Sequence, residues 1–269
     1  MAIVPGIMWG GGISPPVWYG ETLDPTGLMN LLAEMGLRTI DIFMHHVDEW
    51  GVEALRRGID ESGLRCSCLY VRGDLLATGQ EREKVDADFT RGIEAAKGLG
   101  AALIFTHGTQ HTREGEDALQ AYIGVLRERN EQVRDAFKTL VIENAGRLVR
   151  TPDDVMTIID ALGNEGLRVC PDVGNFSIWE IDEVAALRRL LPWTAHVHLK
   201  DLAPEWVGNQ EARGASAVLG QGVTPIGEII ALLRAQVWEG AVVWEPGRHD
   251  EQGITDGVHE LRRLICNGV

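Results

Sequence analysis

One feature constrains this chain more than any other: short β-branched or apolar runs alternate with amphipathic stretches from one end of the sequence to the other. Parallel βα units require such alternation, because each strand must return to the same edge of a sheet through a helix that covers its face. Strands are predicted at 3–9, 38–44, 65–71, 101–106, 139–144, 168–173, 195–200 and 240–245, a unit of about 30 residues. Helices are predicted at 49–62, 81–99, 116–137, 181–190 and 254–266. Three more helix starts are marked by a side-chain oxygen ahead of a proline, at Asp24-Pro25, Thr151-Pro152 and Thr224-Pro225. No Pro/Gly/Ser-rich linker, charge block or low-complexity tract divides the chain. Eight units filling the whole length favour a single (β/α)8 TIM barrel, one domain over 1–269, over an open doubly wound sheet.

Charge narrows the partners. The chain has 40 Asp and Glu against 25 Lys and Arg, a formal net charge of -15, which repels nucleic acid and anionic membranes while leaving room for a local basic pocket. No window approaches the roughly 18 consecutive apolar residues of a membrane span, and MAIVPGIMWGGG lacks a basic region ahead of an apolar one, so a cytoplasmic protein is expected. Cys66, Cys68, Cys170 and Cys266 form no CxxC pair and read as reduced structural thiols.

The strand ends carry the chemistry. LVIENAG ends a strand on Glu143, LRVCPDVGN on Asp172 and AVVWEPG on Glu245, while AHVHLKD carries His198 near its end. Any one of these residues alone is explained as a helix cap or a solvated loop group. Together they converge, because adjacent barrel strands lie about 5 Å apart and loops after strands form the active rim. Three gathered carboxylates repel and lose solvent unless a cation joins them. A divalent metal ion held by Glu143, Asp172, His198 and Glu245 resolves that conflict. Three oxygens and one imidazole suit Mn2+ first, with Mg2+ or Co2+ as alternatives, better than a thiolate-rich zinc site. Such an ion polarises a ketone and stabilises an enediolate, and Glu143 and Glu245 then serve as base and acid.

ENAG, PDVGN, HVHLKD and WEPG, with LGQGVTPIGEII before the last strand, resemble the xylose isomerase-like barrels, specifically the sugar phosphate isomerase/epimerase group that includes the ketose 3-epimerases. The resemblance covers the chain from about residue 100 to 265 and extends to the first three units only in general layout. It implies a Glu, Asp, His, Glu metal site at the same four residues, with the two glutamates exchanging protons with a substrate carbon from opposite sides. The implied protein is a metal-dependent isomerase or epimerase of carbohydrate metabolism, acting beside the carbonyl of a ketose or related polyol. Relatives often form dimers or tetramers, which leaves a homo-oligomer open.

One position departs from the pattern: members often carry Asp-x-x-His after strand six, and here the fourth residue is Asn175. Asn donates a hydrogen bond to a sugar oxygen but shuttles no proton. A lyase or dehydratase on the same site, of the keto-inositol, dehydroshikimate or C-glycoside type, is therefore the rival reading. Phosphodiesterase action on abasic DNA is opposed by the acidic balance and the missing histidine, and a non-catalytic sugar-binding barrel by the intact ligand set.

Other rim groups have weaker assignments. Asn175, Lys200, Arg248 and His107 are expected to bind substrate oxygens, with a carboxylate such as Glu245 as the competing partner for Lys200. His196, one layer deeper than His198, reads as a hydrogen-bonded core residue. His45 and His46 end strand two at the same rim, and Trp9, Trp18, Trp179 and Trp206 either stack on a sugar ring or pack.

Overall fold

The eight strand segments all form, and each is a little shorter than its sequence pattern. They are β1 (Val4–Met8), β2 (Thr39–Phe43), β3 (Arg65–Tyr70), β4 (Leu103–Thr106), β5 (Thr139–Glu143), β6 (Arg168–Cys170), β7 (His196–Leu199) and β8 (Ala241–Trp244). The computed structural model describes residues 3–9, 17–107, 114–209, 216–247 and 250–266; the side chains of Val17 and Trp18 also lie outside the description. Neighbours in sequence pair in parallel from β1 to β6, and β1 pairs with β8 and β8 with β7. Two isolated parallel bridges, Val169 with Thr194 and Asp172 with His198, join β6 to β7. The strands thus form the expected barrel.

Helices return the chain between strands. Asp24 caps α1 (Pro25–Glu34) by accepting from the Gly27 N–H, and Thr151 with Asp154 forms a reciprocal capping box on α5 (Pro152–Leu162). The others are α2 (Met44–Ser62), α3 (Gly79–Leu99), α4 (Glu116–Asp135), α6 (Val173–Ser177), α7 (Glu183–Leu190), α8 (Ile226–Ala235) and α9 (Glu251–Cys266). Two expectations need correction. α2 begins directly at the end of β2 and kinks at Gly51, whose φ of 76° leaves the helical region, so the predicted 49–62 is mainly its second segment. Thr224 does not cap α8: its hydroxyl donates to the Lys200 carbonyl and accepts from the Leu202 N–H, and Pro225 takes the cap position without a side-chain bond. A tertiary bond outcompetes the local one.

Alternation along each strand divides the core in two. One face packs under the helices through residues such as Ile42, Leu69, Ile142, Val197 and Trp244. The other fills the barrel with Met8, Phe43, Tyr70, Phe105, Val141 and Val243, among others. Gly6 keeps this interior close, since a Cβ there would stand 2.4 Å from Thr39 Cγ2 and 2.9 Å from Val243 Cγ2. Polar groups also enter the interior, namely Asp41, His196 and His198, all buried. Cys66, Cys68 and Cys170 are buried free thiols and Cys266 is exposed. Among the described residues no helix is long and apolar enough to cross a membrane.

Candidate metal centre

Glu143 is the last residue of β5, His198 lies within β7, and Glu245 follows β8, where its N–H still bonds Leu199 O at 3.0 Å. Ligand atoms of these three residues lie within 4.8 Å of one another, and His198 Nδ1 is 2.9 Å from Glu143 Oε1.

Asp172 reaches the rim differently from the sequence expectation. β6 stops at Cys170, ahead of Pro171, which has no N–H for the ladder, and Asp172 caps the short helix α6 by accepting from Gly174 N at 3.2 Å. Asn144 of the ENAG motif clamps it, its amide donating to Asp172 O at 3.0 Å and its oxygen accepting from Asp172 N at 2.8 Å. Asn175 donates to Asn144 O at 3.1 Å. Gly174 lets this loop press onto the next strand, because a Cβ there would stand 2.3 Å from Lys200 O.

Lys200 ties the cluster together. Its Nζ donates to Asp172 Oδ2 at 2.8 Å, Glu245 Oε1 at 3.1 Å and Asn175 Oδ1 at 3.1 Å, so the carboxylate partners weighed against a substrate role are present. All four sequence-predicted ligands thus share one rim: three meet at a common point and Asp172 joins them through Lys200.

The electrostatics follow from crowding. Burial pushes the Asp172 carboxyl up to about 7, Glu245 and Glu143 add to that rise, and Lys200 opposes it. Burial would also raise Glu245, but Lys200 and His198 outweigh it and hold that group below its ordinary range. Burial works against the charge of Lys200, yet Asp172, Glu245 and Glu143 keep its pKa above the usual lysine value. Burial alone would lower His198, and Cys170, Asp41 and Glu143 together raise it. One ammonium therefore serves three clustered carboxylates. The donor set fits a divalent ion, since ligand atoms about 2.0–2.6 Å from an ion can lie up to about 5 Å apart, and these all lie within 4.8 Å of one another.

Beneath the centre lies a residue that the sequence reading missed. Asp41 Oδ2 accepts from His196 Nε2 at 2.8 Å and His198 Nε2 at 3.0 Å, and Oδ1 accepts from Ser67 Oγ at 2.5 Å. The available signal was a carboxylate flanked by Ile40 and Ile42 inside a strand. Cys170, His196 and His198 also approach one another closely enough for an ion. Both imidazole Nε2 atoms are already bonded to Asp41, however, and burial pushes the Cys170 thiol up to about 12, while His196 Nδ1 is buried without a hydrogen-bond partner among the described residues.

The remaining rim residues separate by environment. His107 follows β4, its ring bonded to the Tyr70 hydroxyl and set edge-on to Phe105 at 5.7 Å. Burial, reinforced by Glu143 and Glu245, keeps that hydroxyl protonated. A cavity of about 680 Å³ opens beside Tyr70, lined by Phe43, His45, Arg72 and Lys84 among others. His46 is buried, its Nδ1 accepting from Phe43 N at 3.3 Å and its ring stacked 5.3 Å from Trp50. Trp9 is buried at the end of β1, Trp179 packs under the Arg150 guanidinium at 5.1 Å, and Trp206 ends a short 3-10 turn. Arg248 lies outside the described residues.

Fold and site together define a parallel (β/α)8 barrel with an acidic, histidine-containing cluster at the C-terminal rim. The chain belongs to the xylose isomerase-like TIM barrel family, whose sequence model matches residues 29–264. No curated protein sequence matches it. Among solved structures it is similar to a 3-keto-D-glucoside 4-epimerase from E. coli, with TM-score 0.78, 17% identity and coverage of 97% of this chain and 99% of that one. It is also similar to a probable 3-DHS dehydratase from Bacillus anthracis, with TM-score 0.77, 16% identity and coverage of 91% and 94%. A D-psicose 3-epimerase crystallised in the presence of D-fructose gives TM-score 0.76 and 17% identity over 99% of this chain and 100% of that one. At these identities the likeness carries the fold.

Proposed function

We propose that this protein is a divalent-metal-dependent isomerase or epimerase acting next to the carbonyl of a ketose or related polyol. The observation that supports the reading is the meeting of Glu143, from β5, with His198 and Glu245, from the adjacent β7 and β8, at one point. Glu143, Asp172, His198 and Glu245 would hold the ion, with Mn2+ first and Mg2+ or Co2+ as alternatives. The ion supplies a Lewis acid for a substrate carbonyl.

The protein's own residues do the rest. Glu143 and Glu245 exchange protons with the carbon beside the carbonyl, one accepting and the other returning a proton. Lys200 holds Glu245 ionised, which suits it to accept. Asn175, His107 and Arg248 position substrate oxygens, and Lys200, whose three donors go to Asp172, Glu245 and Asn175, would join them by exchanging one of these bonds. His198 and Asp172, each 0% exposed, keep one side of the site dry.

Turnover of a ketose panel with Mn2+ in D2O should place deuterium on the carbon beside the carbonyl. Glu143→Gln and Glu245→Gln should each lower turnover by about 10²–10⁴-fold. Turnover that leaves the product unlabelled contradicts the proposal.

A second reading, a lyase or dehydratase, is favoured by Asn175. Its amide donates to Asn144 O and its oxygen accepts from Lys200, and neither group is a titrating acid or base that returns a proton. After the same abstraction the Cβ–O bond breaks, the oxygen leaving as water with a proton from the second glutamate, and an unsaturated product absorbing in the ultraviolet distinguishes this outcome.

A further inference from the structure

We propose that Asp41 is the positioning residue of this centre, fixing the His198 ring from β2 so that Nδ1 faces the point shared with Glu143 and Glu245. The inference rests on the metal-centre reading above.

Asp41 is 2% exposed and stands between Ile40 and Ile42 in an otherwise apolar stretch. No lysine or arginine pairs with it among the described residues; its bonds go to His196, His198 and Ser67. Burying a carboxylate with no lysine or arginine beside it is costly unless its hydrogen-bond partners compensate, so its place in the barrel needs a reason.

The geometry supplies one. An ionised carboxylate only accepts, so the two Nε2 atoms on Asp41 Oδ2 are both N–H donors. With Nε2–H held on Asp41, Nδ1 is the nitrogen left to face an ion, which would displace the proton that Nδ1 donates to Glu143 Oε1 at 2.9 Å. The ring is held from three sides: Asp41 on one nitrogen, Glu143 on the other, and Phe105 edge-on at 5.1 Å. Ser67 Oγ, on Oδ1, sets the plane of the Asp41 carboxylate. β2 contributes none of the four ligands, yet through Asp41 it orients the ligand of β7 across the barrel. A carboxylate on the far nitrogen of a ligating imidazole fixes its tautomer and raises its basicity, and losing it costs about 10–100-fold in metal affinity.

The test uses the full chain with Mn2+ alone as probe. Isothermal titration should show Asp41→Asn binding Mn2+ about 10–100-fold more weakly than wild type. In 15N-histidine NMR without added metal, the His198 Nε2–H signal seen in the wild type should be shifted or lost in Asp41→Asn. Leu264→Ala, in the outer core at the far end of α9, is the control for lost stability and should bind as wild type. If Asp41→Asn does not fold, Ser67→Ala takes its place; it keeps the carboxylate, frees its plane and should weaken Mn2+ binding about threefold or more. Wild-type affinity in the folded Asp41→Asn protein, or in Ser67→Ala when that variant decides, overturns the inference and leaves the metal reading intact. A wild-type protein that binds no Mn2+ refutes the metal reading itself.

Discussion

Asp172 bridges His198 across the seam of the barrel, with His198 N donating to the carbonyl of Pro171 at 3.0 Å. Sheet closure and site assembly are therefore one event: the bridge that completes the ring sets two proposed ligands side by side. Changes that loosen this seam should show in both stability and metal binding.

Lys200→Met tests the link between Asp172 and Glu245. Removing one partner of a buried ionic cluster leaves its counter-charges unpaired, at a cost of about 3–5 kcal/mol. Urea unfolding should show that loss, and saturating Mn2+ should restore part of it because an ion bound only to the folded state stabilises it. Equal stability of variant and wild type would contradict the role given to Lys200.

Asn144→Ala removes both bonds that hold the backbone of Asp172. Buried peptide groups left unpaired cost about 1–3 kcal/mol each. The expected result is a lower Tm together with weaker Mn2+ binding; a lower Tm with wild-type affinity would show that Asp172 does not need the clamp.

Gly174→Ala should be severe, because the close atom is the backbone oxygen of Lys200 and has no side-chain freedom to move aside. We expect loss of at least 2 kcal/mol, of the order overpacking produces. A neutral result in thermal unfolding would show that the two segments separate easily.

The fold was legible because parallel units announce themselves locally, in the spacing of apolar runs and in Asp24 and Thr151 ahead of their prolines. Four rim positions were legible because Glu143 ends a strand, Asp172 and Glu245 closely follow one, and His198 stands one residue before the end of its own. Asp41 was not: its meaning depends on β2 and β7 meeting across the barrel, which no local pattern encodes. Thr224 misled for the same reason, since its partner is the Lys200 carbonyl and not its own helix. The start of α2 was hidden because Phe43 offers no side-chain cap hydrogen bond.

His46 gives the fold a defined acid sensitivity. Burial, with His45 adding to it, lowers its pKa from 6.5 to about 3, so the folded protein keeps it neutral. The unfolded chain takes up this proton as pH falls through 6.5, and the folded one does so only near 3. Its stability contribution is therefore complete above that window and is lost within it at about 1.4 kcal/mol per pH unit. His46→Gln keeps an acceptor for the Phe43 N–H and removes the titration. Stability measured in urea between about pH 6 and 4.5 should fall less steeply for this variant than for wild type; parallel slopes would contradict the assignment.

Titration of the full chain with Mn2+, read as stoichiometry and affinity, tests the central claim most directly. The account predicts one saturable ion per chain, with binding at least about 100-fold weaker in His198→Gln, which loses the ligand nitrogen and its Asp41 bond together. No saturable binding by the wild type, or equal binding by the variant, would contradict it.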